Sequence, residues 1–470
     1  MTLPKMAASG ATFAAIAAFA LYAKPLLAFN FEVENHRGGD SPAIGRPSQY
    51  DYAPTVIQDG KYRMWWCSWV SGAPDVNHGG DGIYYSEAED INGPWSEPEL
   101  VFKPRFGEQN AFDSWHTCDP SVVRVKSRYY MYYGGYPINP SSHRTRIGLA
   151  TSSDGRAWTR ANNGNPIISN ARATVSGDYG AGQPSIIYLD KKFYITYTDD
   201  TGLAHDGAAQ YVLRSSDATF QEGVEVLTSN GFEPRTSINQ TEHYFIRAAT
   251  VDWQYSDVLD AFIVGLAGVP GKLVYKVFTK DLDYEIIPQI SISGSWSEGF
   301  GLVSRPDKHS IPTSTCGVVP LDIMRSVGEG PRSWDLAHQG FDIVTDLSCA
   351  ESSMARAMDG YYMISPGLPQ SLVIDGVRLQ FGHGETLRHF SRNSIPVASG
   401  IYHSIPSGGS LFRFNPVVQS PERPGAFEVG GNLWPVSCPM ALTTNGSVRT
   451  WITNAQWDSR QLMPSLHCLY

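Results

Sequence analysis

One arrangement of residue types recurs along this chain and constrains its fold more than any other feature. Thr117 to Tyr136 reads TCDPSVVRVKSRYYMYYGGY: an acid before a proline, a β-branched run, a polar break, then an aromatic run. Alternation and β-branched or aromatic residues predict two strands joined by a tight turn. Ala53 opens a second version (APTVIQDGKYRMWWCSW) and Gln183 a third (QPSIIYLDKKFYITYTD). A weaker version opens at Ala248, and Glu351 opens another (ESSMARAMDGYYMIS) that keeps the nine-residue spacing of Asp119–Arg128 and Gln183–Lys192. A third apolar run follows each pair, centred on Ile83, Ile147, Val212 and Val274, with spacings 147−83 = 64, 212−147 = 65 and 274−212 = 62. A fourth short run follows each of these. Four strands per repeat, with repeats in a row, predict an all-β protein of the β-propeller type, whose radial repetition leaves only short strand edges.

Blades are expected from about Tyr50, Ser114, Gly182 and Arg247. Beyond Ile292 the register blurs. Ser293–Val344 and Glu351–Arg392 each read as a further blade, so five blades are favoured and six are the alternative. The expected division is a signal peptide over 1–28, a propeller over 29–392 and added C-terminal β-structure over 393–470. The signal reading rests on Lys5, the alanine-rich run Ala7–Ala23 and the small-x-small site Ala18-Phe19-Ala20. It implies a secreted or periplasmic protein with no membrane span after cleavage. Lys24 ends the apolar run short of a comfortable span.

A formal charge of −10 argues against nucleic acid as partner, since phosphate binding needs a basic face. With 12% aromatic and 17% charged residues, neutral polar ligands such as sugars fit better. The six cysteines (Cys67, Cys118, Cys316, Cys349, Cys438, Cys468) form no C-x-x-C pair, so they suggest no zinc site. They read equally as disulfides or as buried thiols. The function expected needs no metal or cofactor.

In a propeller the first strand of each blade lines the central channel, so the repeats predict a polar ring of Ala53, Asp119, Gln183, Ala248 and Glu351 at one mouth. Trp115 and His116 precede Asp119 and project toward the same mouth, the Trp able to stack on a sugar face. The blade motif, with DPSV before an aromatic strand and GLATSSDGRAW as outer hairpin, resembles the five-bladed glycoside hydrolases, glycoside hydrolase family 43 above all. Ser152–Trp158 (SSDGRAW) also resembles the structural Asp-box turn of sialidases. The family-43 resemblance covers roughly Tyr50 to Ile292. It implies hydrolysis of an oligo- or polysaccharide by an Asp base in blade one, an orienting Asp in blade two and a Glu acid in blade three. Asp119 matches the blade-two position. Ala53 holds the base position, so Asp51, two residues earlier on the same side of a regular strand, is the substitute. Gln183 holds the acid position and is read as a ligand contact, leaving Glu351 as proton donor, with Asp178 and Glu242 in reserve. The alternatives are a catalytically silent glycan-binding propeller and a six-bladed, sialidase-like enzyme that would recruit Arg247 and Arg356.

Overall fold

The computed structural model describes residues 29–45, 50–70, 80–138, 144–175, 177–202, 209–235, 243–267, 271–328 and 334–469. The expected signal segment lies outside them, as does Glu242. Among the described residues, 30 strands and five short α-helices form, and no helix is long and apolar enough to cross a membrane.

Each version of the repeated motif except that at Glu351 folds as an antiparallel meander. The first meander is Tyr52–Asp59, Lys61–Trp69, Asp81–Ala88 and Glu99–Phe102; the second is His116–Val125, Arg128–Tyr136, Arg146–Ser152 and Thr159–Arg160. The third runs Ala181–Leu189, Lys192–Asp199, Gln210–Ser215 and Glu225–Thr228, with a short fifth strand, Gly231–Pro234. The fourth is Val251–Ser256, Ala261–Ala267, Lys272–Thr279 and Glu285–Ser293. A fifth takes three strands from the later chain, Phe300–Ser304, Val318–Val327 and Asp335–Thr345. Its outer strand, Phe31–Ile44, comes from the start of the described chain and runs antiparallel to Asp335–Thr345. Arg37 clasps it there, 2.7 Å from Asp322 and 2.8 Å from Asp342. The first strands neighbour one another in chain order. Phe300–Ser304 then pairs in parallel with Tyr52–Asp59, Val303 opposite Val56. Hydrophobic clusters fill the spaces between successive meanders, with Trp65 and Trp253 fully buried.

The ring of starting residues differs from expectation in two places. Ala53 (φ 46°), Asp119 (φ 48°) and Gln183 (φ 50°) all adopt the left-handed conformation immediately before a proline. At each the strand register slips, between Tyr52 and Thr55, Cys118 and Ser121, and Gly182 and Ser185. These bulges line one small cavity of 30 Å³ with Thr250 and Phe300. The fourth member is therefore Thr250 (φ 21°), not Ala248, and the fifth meander begins at Gly299 (φ 67°), not Glu351. Glu351 lies exposed in a turn, where its carboxylate accepts the Ser348 N–H at 2.9 Å, ahead of the short helix Met354–Ala357. Small and polar residues (Glu351-Ser352-Ser353) favour that turn over a strand.

The opposite end of the ring is closed by Arg305–Ser310. Its carbonyls accept N–H groups from three first strands: Arg124 to Pro306, Tyr188 to Asp307 and Tyr255 to Lys308. Lys308 is fully buried and pairs with Asp252 at 2.8 Å. Arg305 and His309 bind Asp257 from the same segment.

The chain after 350 is not a blade. Residues 362–411 carry strands Tyr362–Ile364, Ser371–Ile374 and Val377–Phe381, helix Gly384–Leu387, strand Ser394–Pro396, helix Ser399–Ser404 and strand Ser407–Leu411. The same order recurs from Val417–Ser420 to helix Asn454–Asp458, with all but the second strand starting 417−362 = 55 residues later. Arg378 pairs with Ser407 exactly as far along as Leu433 pairs with Leu462, and Phe381 with Leu411 as Val436 with Leu466. The two repeats share one core, including Leu379, Leu411, Phe427, Trp434 and Leu466. Because Ser394–Pro396 pairs with Tyr362–Ile364, the expected boundary at 392/393 cuts through a sheet; the module begins near 350. It grips the first meander's hairpin turn, Asn393 Oδ1 accepting Gly60 N–H at 2.6 Å.

Candidate active site

The bulge that turns Asp119 toward the ring places it within electrostatic reach of two carboxylates from other meanders. Glu298 immediately precedes Gly299 at the start of the fifth meander, and Asp81 opens the third strand of the first. Burial pushes the Asp119 carboxyl up to about 7, reinforced by the Glu298 and Asp81 charges and opposed by a weak hydrogen bond from the Tyr179 hydroxyl at 3.4 Å. Glu298 is also raised, chiefly by burial and then by Asp81, while the Tyr50 hydroxyl, donating at 2.9 Å, pulls it back. Buried like charges cannot all ionise together, so such a cluster retains a proton near neutral pH.

Aromatic rings flank the carboxyls. Tyr50 lies 4.4 Å from Tyr52, 4.6 Å from Trp334 and 5.7 Å from Trp69, centroid to centroid. Tyr52 donates its hydroxyl to Asp81 Oδ2 at 2.8 Å, and His116 Nδ1 stands 2.9 Å from the same oxygen. Trp115 is part-buried and meets His116 edge-on at 5.8 Å. A disulfide, Cys67–Cys118, lies beside Asp119, whose N–H donates to Cys67 Sγ at 2.9 Å. The only metal-ligand grouping among the described residues is Cys67, Cys118 and Asp119; with both sulfurs in a disulfide, it leaves one carboxylate to offer a cation.

Of the remaining expected residues, Gln183 shares the central cavity with Asp119 and the others lie outside it. Asp51 is fully buried and accepts the Trp66 indole N–H at 2.8 Å. The bulge at Ala53 breaks the period-two alternation that would have set Asp51 on the channel side. Gln183 lines the central cavity with its amide occupied: Nε2 donates to Thr250 Oγ1 at 2.6 Å, and Oε1 accepts from Thr198 Oγ1 at 2.9 Å. Asp178 accepts the Val175 N–H at 2.8 Å within its own loop. Arg247 is exposed, its guanidinium 5.8 Å from the Tyr244 ring. Arg356 faces Asp257 and Asp260 at the closed end, at 3.7 and 3.4 Å. Reading the sequence missed Glu298 and Asp81. Glu298 stands in SEGFG, without the proline that marks other ring positions, and Asp81 opens a third strand rather than a first.

No family model matches the sequence, and neither does any curated protein. Among solved structures, a family 117 glycoside hydrolase from the marine bacterium Zobellia galactanivorans superposes with a TM-score of 0.44 at 12% identity, over 67% of this chain and 90% of that one. A family 43 β-xylosidase/α-arabinofuranosidase from a compost microbial metagenome gives 0.40 at 14% identity, over 65% and 96%. The catalytic domain of a family 62 α-L-arabinofuranosidase from Coprinopsis cinerea gives 0.40 at 14%, over 66% and 97%. The likeness concerns the fold alone; the functional reading rests on the side chains just described.

Proposed function

We propose that this chain is an exported five-bladed β-propeller glycoside hydrolase, with Asp119 and Glu298 as its acid and base. The observation that carries the reading is the pair itself: two part-buried carboxyls, both held above their ordinary range, beside aromatic rings at one end of a ring of strands. Glycosidic hydrolysis needs a proton for the leaving oxygen and a carboxylate to activate water. Asp119, protonated near neutral pH, donates to the glycosidic oxygen as the C1–O bond breaks. Glu298, held toward ionisation by Tyr50, takes a proton from the water whose oxygen bonds to C1. Tyr50, Trp69 and Trp334 offer the apolar faces on which sugar rings stack. The exposed turn of Glu351 and the Trp66 hydrogen bond of Asp51 favour Glu298 over either as a partner of Asp119.

Export is supported by the pairing of all six cysteines, as Cys67–Cys118, Cys316–Cys349 and Cys438–Cys468, since such bonds persist in oxidising compartments. Mass spectrometry of the natural protein should find its N-terminus after about residue 20 to 28; an intact Met1 rejects this.

One observation favours a second reading, a silent glycan-binding propeller. Ala53 and Gln183 occupy ring positions without a carboxyl, and the Gln183 amide is occupied by its neighbours. The two readings separate in a panel of neutral plant and bacterial polysaccharides assayed in parallel for binding by calorimetry and for reducing-end release. Release of sugar supports the hydrolase; binding without release supports the silent module.

A further inference from the structure

We propose that the Cys67–Cys118 disulfide is the positioning element of the carboxyl cluster, and that opening it disarms the site while the ring of strands stays folded. The proposal rests on reading Asp119 and Glu298 as acid and base. Cys67 sits in the second strand of the first meander and Cys118 in the first strand of the second, their Cα atoms 5.3 Å apart and both side chains buried. The bond touches both halves of the cluster. On one side, the Asp119 N–H donates to Cys67 Sγ at 2.9 Å. On the other, Cys118 Sγ lies 2.8 Å from the Tyr52 hydroxyl, which donates to Asp81.

At this bulge a sulfur stands where the strand ladder offers no partner. Asp119 holds a left-handed backbone (φ 48°), a conformation that a non-glycine residue adopts only when its surroundings enforce it. The ladder that would otherwise fix it is interrupted between Cys118 and Ser121. The Asp119 N–H therefore bonds to the disulfide rather than to the neighbouring strand. Reduction by a dithiol cleaves the S–S bond: two electrons and two protons pass to the sulfurs, giving two thiols, and the dithiol closes to its own disulfide. Asp119 then loses the covalent tie of its neighbour Cys118. The other two disulfides make no such contact. Cys316–Cys349 joins the fifth meander to the C-terminal module, and Cys438–Cys468 closes the second repeat.

The test uses the full chain in four forms: wild type, Cys67→Ser/Cys118→Ser, Cys67→Ala/Cys118→Val, and Cys438→Ser/Cys468→Ser as control. Thermal melting establishes that each is folded. Carbon-detected NMR follows the Asp119 carboxyl through pH, and hydrolysis is measured where a substrate has been found. Expected is a fall of the Asp119 midpoint by about one pH unit in both Cys67/Cys118 variants as water reaches the carboxyl. A loss in kcat of about 10²-fold with little change in KM accompanies it. The control keeps the wild-type midpoint. Folded Cys67/Cys118 variants with a wild-type Asp119 titration overturn the proposal. So does unfolding of both, which makes the bond a general staple. If wild type cleaves nothing, the hydrolase reading fails, while the NMR titration still decides the role of the disulfide.

Discussion

Asp119 combines a left-handed backbone, a half-buried position and two neighbouring carboxylates, and each has a measurable consequence. Its folded pKa is pushed from 3.8 to about 7, so the folded state holds the proton more tightly than the unfolded chain between those values. Stability therefore falls as pH rises through that window. Asp119→Asn removes the penalty: equal to wild type near pH 3, it should be more stable at pH 8 by about 2 kcal/mol, solvent screening of a part-exposed group included. Urea unfolding at the two pH values checks this. Tyr50→Phe should act in the opposite sense on catalysis. The Tyr50 hydroxyl lowers Glu298, so its loss raises Glu298 further and moves the acid limb of the kcat/KM profile to higher pH. An unchanged limb removes Glu298 from the role of base. The position of Asp119 was legible in the sequence because a residue before proline recurs at the start of three copies of the motif, and only this copy puts an acid there. The channel-side placement expected of Asp51 assumed a regular strand where the backbone bulges. Glu298 was illegible because its partners, Tyr50 and Asp119, lie far away in sequence.

The segment Arg305–Ser310 makes its contribution as an element, bonding to three first strands while burying a lysine against Asp252 of one of them. Lys308 and the Ser185 hydroxyl both bond to Asp252, which also accepts the Leu302 N–H at 2.7 Å. Lys308→Ala leaves a buried carboxylate without its cation and should destabilise the protein by about 3–5 kcal/mol in denaturant unfolding. A loss under 1 kcal/mol would show that the pair is not buried in solution. His309 on the same segment is held above its ordinary range: burial opposes its charge, and Asp257 and Asp307 outweigh burial. Its stabilisation is complete below pH 6.5 and is lost as pH rises through the raised value. His309→Gln should thus cost stability at pH 6 and much less above the folded pKa. The sequence hid this element, since a polar loop closing a ring has no periodicity. It hid the C-terminal repeats for another reason. Their 55-residue register is carried by buried positions such as Leu379 and Trp434, or Tyr402 and Trp457, which share burial but not identity.

At the scale of the whole molecule, the two ends of the ring divide the work: one carries the carboxyl cluster, the other is closed and seats the tandem module. The spacing near 65 residues made four meanders legible. The fifth was blurred because its outer strand, Phe31–Ile44, lies nearly 300 residues before its partner Asp335–Thr345. Deleting residues 29–45 should leave that partner as an open edge, lower the melting temperature and promote association between chains, read by scanning calorimetry and light scattering. An unchanged melt contradicts the closure. The most direct test is to measure glycan hydrolysis and glycan binding side by side in wild type and Asp119→Asn. The account predicts a fall in kcat of at least about 10²-fold with binding retained, since a general acid is lost and the binding surface is not. Full hydrolytic activity in Asp119→Asn would contradict it.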